Sequence, residues 1–450
     1  MSKSRTSRRH FLKQSAAGMA GLFAAPAFIR DLTAASPSEV VRHASFGASG
    51  MAGADLGAIA SHAKVKLVCV ADVDLSRANA LKSRFPELRV YQDWRELLDK
   101  EEKNLDSVNV STPDHMHAPI GMAAMQRGLH VYGQKPLTHD VFESRQLAKV
   151  AAEKKLVTQM GIQIHSSSEY RTAVALIQQG AIGKVKEVHS WSSKKWGDSA
   201  PLPGNEDRVP EGFDWDQWLG VCAKRPFIGG GYYHPGNWRK RLDFGTGTFG
   251  DMGCHIFDPV FKAMDLTAPL TALSKGPAPS ATNWANDAEV HFTFPETKFS
   301  VGPTFPITWY DGDKRPSKEV TGPVLGDKGL PDQGSLFIGE KGALLLPHVA
   351  QPILLPEKQF EGFERPKVAG DNHWHQFVEA VRGMGTTLAH FGYAGPLTES
   401  VLLGGVATHF PEQKLEWDAA NLKFKNQPDA ARLIRKNYRQ GWEVAGLSNV

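Results

Sequence analysis

Cysteine is scarce in this chain: three in 450 residues, at Cys69, Cys222 and Cys254, and no C-x-x-C pair. That excludes a disulfide-stapled scaffold and a cysteine-rich zinc module. Beyond the N-terminus no apolar run reaches the length of a membrane span. No internal repeat is visible. Charge of one sign is also in short supply. The formal charge is +4, and it falls to −1 once the five lysines and arginines of residues 1–27 are removed. No basic surplus remains to attract nucleic acid. At this length a single core is improbable on scaling grounds, so two domains are expected.

What is present begins with a leader. Ser7-Arg8-Arg9-His10-Phe11-Leu12-Lys13 precedes a small and apolar stretch from Ala16 to Ala25, and Ala25-Pro26-Ala27 offers an A-x-A cleavage site. The paired arginines with Phe-Leu-Lys resemble a twin-arginine signal; the alternative is a basic tail. Residues 1–31 are therefore expected to direct export by the twin-arginine machinery, to the periplasm or beyond, and to leave no membrane span after removal. That machinery carries folded proteins, so a diffusible cofactor with no pool outside the cytoplasm has to stay bound and be recycled in place.

After a linker rich in Ala, Ser and Pro, residues 38–162 alternate strand and helix with short connections, which predicts a doubly wound parallel α/β sheet. Val40 to Phe46 reads as a strand, followed by Gly47-Ala48-Ser49-Gly50-Met51-Ala52-Gly53 opening a helix. A strand, a glycine turn and a helix N-terminus suit a dinucleotide pyrophosphate. Against G-x-G-x-x-G/A, the middle glycine is Ser49, whose Cβ crowds that position. The next strand ends in Asp72, placed to accept hydrogen bonds from the adenosine ribose hydroxyls, which favours NAD. Arg77 nearby leaves NADP open. A strand at Ser107–Val110 runs into Ser111-Thr112-Pro113-Asp114-His115-Met116-His117. A further strand delivers Gly133-Gln134-Lys135-Pro136, putting a lysine at a strand's carboxyl end, where ligands sit in open parallel sheets.

Residues 163–450 change character. Five of the eleven tryptophans (Trp191, Trp196, Trp215, Trp218 and Trp238) fall in or around one Pro- and Gly-rich loop. Their faces suit the C–H faces of sugars, with His234, Asn237 and Arg239 able to reach hydroxyls; at least three are expected simply to pack. Then Gly245-Thr246-Gly247-Thr248-Phe249-Gly250-Asp251-Met252-Gly253-Cys254-His255 places Asp251 and His255 four apart, on one face of a helix. As a metal site it lacks a third ligand, and none is expected.

The glycine turn, the acidic strand end, Thr112-Pro113 with His117, the x-Lys-Pro strand end and Asp-x-x-x-His together resemble the glucose–fructose oxidoreductase, inositol dehydrogenase and MocA (Gfo/Idh/MocA) family. The family's Glu-Lys-Pro has Gln134 in place of the glutamate here. The resemblance implies a Rossmann domain followed by an α+β domain with a large, mostly antiparallel sheet, and a homo-oligomer. It implies cofactor contacts from Gly47, Ser49, Gly50, Met51, Asp72, Thr112, Pro113, His117, Gln134 and Lys135. Lys135, Asp251 and His255 are implied as catalytic. Gln163, His165, Trp191, Trp238, Arg239, Asp251 and His255 are implied to hold a carbohydrate substrate. On this reading His255 accepts the hydroxyl proton near neutral pH, Asp251 orients it, and Lys135 polarises the reacting oxygen; the two bases are interchangeable as far as the residues go. The expected activity is oxidation of a sugar, sugar derivative or glycoside by hydride transfer to tightly held NAD. Two alternatives stand beside it. One is glycoside cleavage by oxidation, elimination, hydration and reduction. The other is a non-catalytic sugar-binding protein, favoured by Ser49 and Gln134.

Overall fold

A computed structural model describes residues 39–326 and 328–448. The leader, and with it the export reading, lies outside the described residues. Among them, no helix is long and apolar enough to cross a membrane.

Six parallel strands form the first sheet: β1 (Val41–Phe46), β2 (Val65–Ala71), β3 (Arg89–Tyr91), β4 (Ser107–Val110), β5 (His130–Gly133) and β6 (Thr158–Met160), in the order β3-β2-β1-β4-β5-β6. Every residue of β4 is buried, as expected where helices cover both faces. The order reverses between β1 and β4, and the turns after those two strands adjoin. Gly47 has φ +99°, and a Cβ there would lie 2.7 Å from Ala52 Cβ and 2.9 Å from the Ser111 carbonyl oxygen. Only glycine fits. The sequence reading passed over β3, whose three residues are too few to show alternation.

The second sheet has nine strands: β7 (Val185–Ser192), β8 (Thr271–Ser274), β9 (Glu289–Pro295), β10 (Thr304–Asp311), β11 (Gln333–Gly339), β12 (Ala343–Pro347), β13 (Ile353–Leu355), β14 (Leu415–Asp418) and β15 (Lys423–Phe424), ordered β13-β12-β11-β7-β10-β9-β8-β14-β15. All its pairings are antiparallel except β7 with β10. The fold is thus a Rossmann-type parallel sheet joined to a mostly antiparallel one.

The helix Gly247–Met264 packs on β7 and β11, and the helix Phe391–Thr408 bridges it to the first-domain helix Val141–Glu153. One hydrophobic cluster runs through both sheets. Residue 163 therefore divides two sheets without dividing the core. The C-terminal tail, polar by sequence, buries Trp442, Val444 and Leu447 in that same cluster.

Candidate active site

The carboxyl ends of β1, β2, β4 and β5 open into a cavity of about 430 Å³, closed on its far side by second-domain residues. Gly47, Ser49, Gly50, Met51, Asp72, Thr112, Pro113, His117, Gln134 and Lys135 all line it, as do Gln163, Trp238, Arg239 and His255.

Lys135 Nζ donates to Asp251 Oδ1 at 2.6 Å and to the Asp251 carbonyl oxygen at 2.9 Å. Arg239 Nε donates to the same Oδ1 at 3.2 Å, with its guanidinium 4.2 Å from the Trp238 ring centre. Burial alone would raise the Asp251 carboxyl, but the Lys135 ammonium and the Arg239 guanidinium outweigh it and hold the group well below the usual carboxylate range. Asp251 itself does not line the cavity; it sits behind the two cations. One correction follows: the hydrogen bonds of the Asp251 side chain go to Lys135 and Arg239 rather than to His255, so it does not orient the imidazole. The helix spacing put Asp251 and His255 on one face, but the shorter reach was to a lysine from the other domain.

The His255 ring makes no hydrogen bond to any described residue and stands with its centre 5.9 Å from that of His348. Burial, the Lys135 ammonium and His348 push its basicity far below the ordinary imidazole value. That runs against the expectation of titration near neutrality, since the surroundings favour the uncharged ring.

His165 and Trp191 do not reach the cavity. His165 is 2 % exposed, its Nδ1 2.9 Å from Asp258 Oδ2, between the rings of Tyr170 and Tyr393. Trp191 is wholly buried among Leu336, Leu345 and Leu355, its Nε1 donating to the Pro331 carbonyl oxygen at 2.7 Å. Strand alternation turned it away from the cleft. Of the five tryptophans, Trp218 and Trp238 line the cavity. Trp215 stacks on Trp218 with ring centres 4.8 Å apart.

The two departures from the family pattern both have partners. Ser49 Oγ accepts from Arg77 Nη1 at 2.8 Å. Gln134 Nε2 donates to Asp55 Oδ2 at 2.8 Å, and Ser111 Oγ donates to the same oxygen at 2.8 Å. Trp374 Nε1 supplies Asp55 Oδ1 at 2.9 Å. A glutamate at 134 would face that buried carboxylate, so an amide is what the position requires. Gly161 leaves room for it, since a Cβ there would fall 2.6 Å from Gln134 Nε2. Asp114, not singled out by sequence, is buried in the cleft wall. Its Oδ2 accepts from the Thr246 N–H at 3.1 Å and from Thr246 Oγ1 at 2.7 Å, tying β4's end to the second domain. Its Asp-His neighbourhood was visible, but nothing local pointed to a partner 132 residues away.

The chemistry of the cleft fits a dinucleotide. Gly47 and Gly50 bring backbone to the cavity wall at a helix start, Asp72 presents a carboxylate held by the N–H groups of Ala48 and Asp74 (2.9 Å each), and Thr112 Oγ1 is buried without a partner. Two family models cover these regions: "Oxidoreductase family, NAD-binding Rossmann fold" matches residues 41–162, and "Oxidoreductase family, C-terminal alpha/beta domain" matches residues 181–285. The chain belongs to the Gfo/Idh/MocA oxidoreductase family. Among its relatives, this Gfo/Idh/MocA chain is 33 % identical over 161 residues to inositol 2-dehydrogenase 4 of Saccharopolyspora erythraea, covering 34 % of the chain and 46 % of the relative. It is 26 % identical over 131 residues to levoglucosan dehydrogenase of Pseudarthrobacter phenanthrenivorans, covering 29 % and 33 %. The matches thus span a third to under half the length of these curated relatives. Among solved structures it resembles the inositol dehydrogenase homologue of Azotobacter vinelandii complexed with NADH and myo-inositol (TM-score 0.57, 15 % identity, 85 % of this chain and 99 % of that one). It also resembles the WlbA dehydrogenase of Bordetella pertussis in complex with NADH and UDP-GlcNAcA (TM-score 0.59, 15 % identity, 84 % and 99 %). At these identities the structures speak for the fold alone.

Proposed function

We propose that the protein is an exported, NAD-dependent oxidoreductase that oxidises a hydroxyl of a sugar, cyclic polyol or glycoside and keeps its dinucleotide between turnovers. The observation that carries this reading is the meeting of Lys135, from the nucleotide half, with Asp251, Arg239 and His255, from the sheet half, in the cavity that also holds the Gly47 turn and Asp72. Bound NAD would supply the hydride acceptor. His255, whose ring has no hydrogen-bond partner among the described residues and lines the cavity, takes the hydroxyl proton. Lys135, with Asp251 fixing its ammonium, keeps a donor for the reacting oxygen, and Trp238 and Arg239 offer an aromatic face and a guanidinium to the rest of the ring.

Acid release and chromatography of the purified protein test the cofactor; an empty protein that also fails to take up added NAD ends the reading. Sugars, cyclic polyols and aryl glycosides, offered while the absorbance of bound cofactor is followed, test the substrate class. Redox-neutral glycoside cleavage is a second reading, favoured by His348 as a second titratable ring beside His255. It predicts release of the aryl group with no net NADH. Export rests on the leader alone: replacing Arg8 and Arg9 with lysine is expected to hold the protein in the cytoplasm. A homo-oligomer through the nine-stranded sheet belongs to the same reading and is checked by light scattering.

A further inference from the structure

A second-domain excursion doubles back onto the end of β2. Asp74 and Phe213 form an isolated antiparallel bridge. The Leu75 N–H donates to the Gly212 carbonyl oxygen at 3.0 Å, and the Asp214 N–H donates to that of Val73 at 2.9 Å. Gln92 Nε2 reaches both carbonyls, Val73 at 3.0 Å and Gly212 at 3.1 Å. Gln217 Nε2 donates to Asp93 Oδ2 at 2.8 Å. Behind these bonds Phe213 packs on Trp215, Phe227 and His234. The excursion is therefore stitched to the first domain by backbone, by side chain and by an aromatic core of its own.

Its position gives it a role. Asp72 marks the adenosine end of the cleft, with Arg77 beside it, held by Ser49 at 2.8 Å and by Asp74 at 2.9 Å. Gln217, Trp218 and His234 line the same cavity from the opposite side. His234 Nε2 is buried there without a hydrogen-bond partner, and burial and Arg77 pull the imidazole down to about 4, so it presents a neutral ring.

We propose that the second domain completes the adenosine subsite: residues 207–236 lie latched across it by Gln92 and Gln217, His234 contacts the adenosine, and bound NAD exchanges only when the latch opens. This rests on the retained-cofactor reading and supplies its physical cause. A latch and a contact leave different kinetic traces. Weakening a latch speeds entry and exit alike, whereas removing a ligand contact speeds exit alone.

The test is exchange of radiolabelled NAD on the purified holoprotein, with entry and exit rates measured separately. Gln92→Ala removes two latch bonds, and Phe213→Ala loosens the excursion from a position that does not line the cavity. Each is expected to raise both rates on the order of tenfold, with the dissociation constant shifting much less. His234→Ala is expected to raise exit and leave entry alone. Unchanged rates in both latch variants, or faster exit with unchanged entry, would overturn the latch; an unchanged exit rate in His234→Ala would overturn the adenosine contact. A protein that binds NAD normally yet shows either result loses the latch or the contact accordingly and keeps the cofactor reading. One that binds no NAD loses both.

Discussion

Asp251 and Asp258 sit seven residues apart on one helix, each paired with a basic side chain from the first domain or the turn that follows it. Asp251 meets Lys135, both side chains keep 12–13 % of their surface exposed, and Lys135 lines the cavity. Asp258 meets His165, and both are sealed at 2 % or less. Asp258 is also held on every side: Tyr393 donates its hydroxyl to the carboxylate, and Tyr170 reaches the backbone oxygen at 3.1 Å. Lys135 keeps a free donor facing open space. Like chemistry in the two pairs borders a cavity in one and is sealed in the core in the other, and the difference is access.

The comparison can be broken most decisively at Lys135. Lys135→Ala is expected to lower kcat by about a thousandfold or more with little change in melting temperature. A near-normal rate would make this pair a strut as well. His255→Gln is expected to cost about 10²–10⁴-fold in kcat, by loss of the proton acceptor. At the sealed pair the order reverses. Asp258→Asn is expected to destabilise the fold by about 3 kcal/mol in chemical denaturation, while the rate per folded molecule stays close to normal. Gln134→Glu sets a second carboxyl against buried Asp55, whose own basicity burial already raises; a loss of about 2 kcal/mol is expected, and an unchanged midpoint would contradict the contact.

The smallest effect expected is in the pH profile. A depressed His255 stays neutral as pH falls through the ordinary imidazole range and loses its basic form only at lower pH. So kcat/KM should stay flat from pH 8 down past 6.5; a fall centred there would show His255 to be less buried than the structure places it.

Much of the first domain was legible because its signals are local. A glycine forced to φ +99°, an acid at a strand end and a lysine before proline each do their work within a few residues. His165 and Trp191 misled because residue type and neighbourhood do not say which face of an element meets a cavity. Gln134 stood out only as a departure from Glu-Lys-Pro, when its partner was Asp55, 79 positions earlier in the chain. The excursion over β2 left no mark in the sequence beyond its aromatics, since its bonds run mostly through backbone carbonyls that any residue carries.

From the sequence by itself came the parallel sheet and the dinucleotide turn, because periodicity and backbone geometry are short-range; the lysine and histidine that face the cleft came through the family resemblance. The tertiary structure alone decided that Asp251 pairs with Lys135 rather than with His255, that the surroundings of His255 lower its basicity, and that second-domain residues close the far side of the cavity. Those outcomes depend on burial and on charges brought together from distant parts of the chain, and distance in sequence carries no record of either.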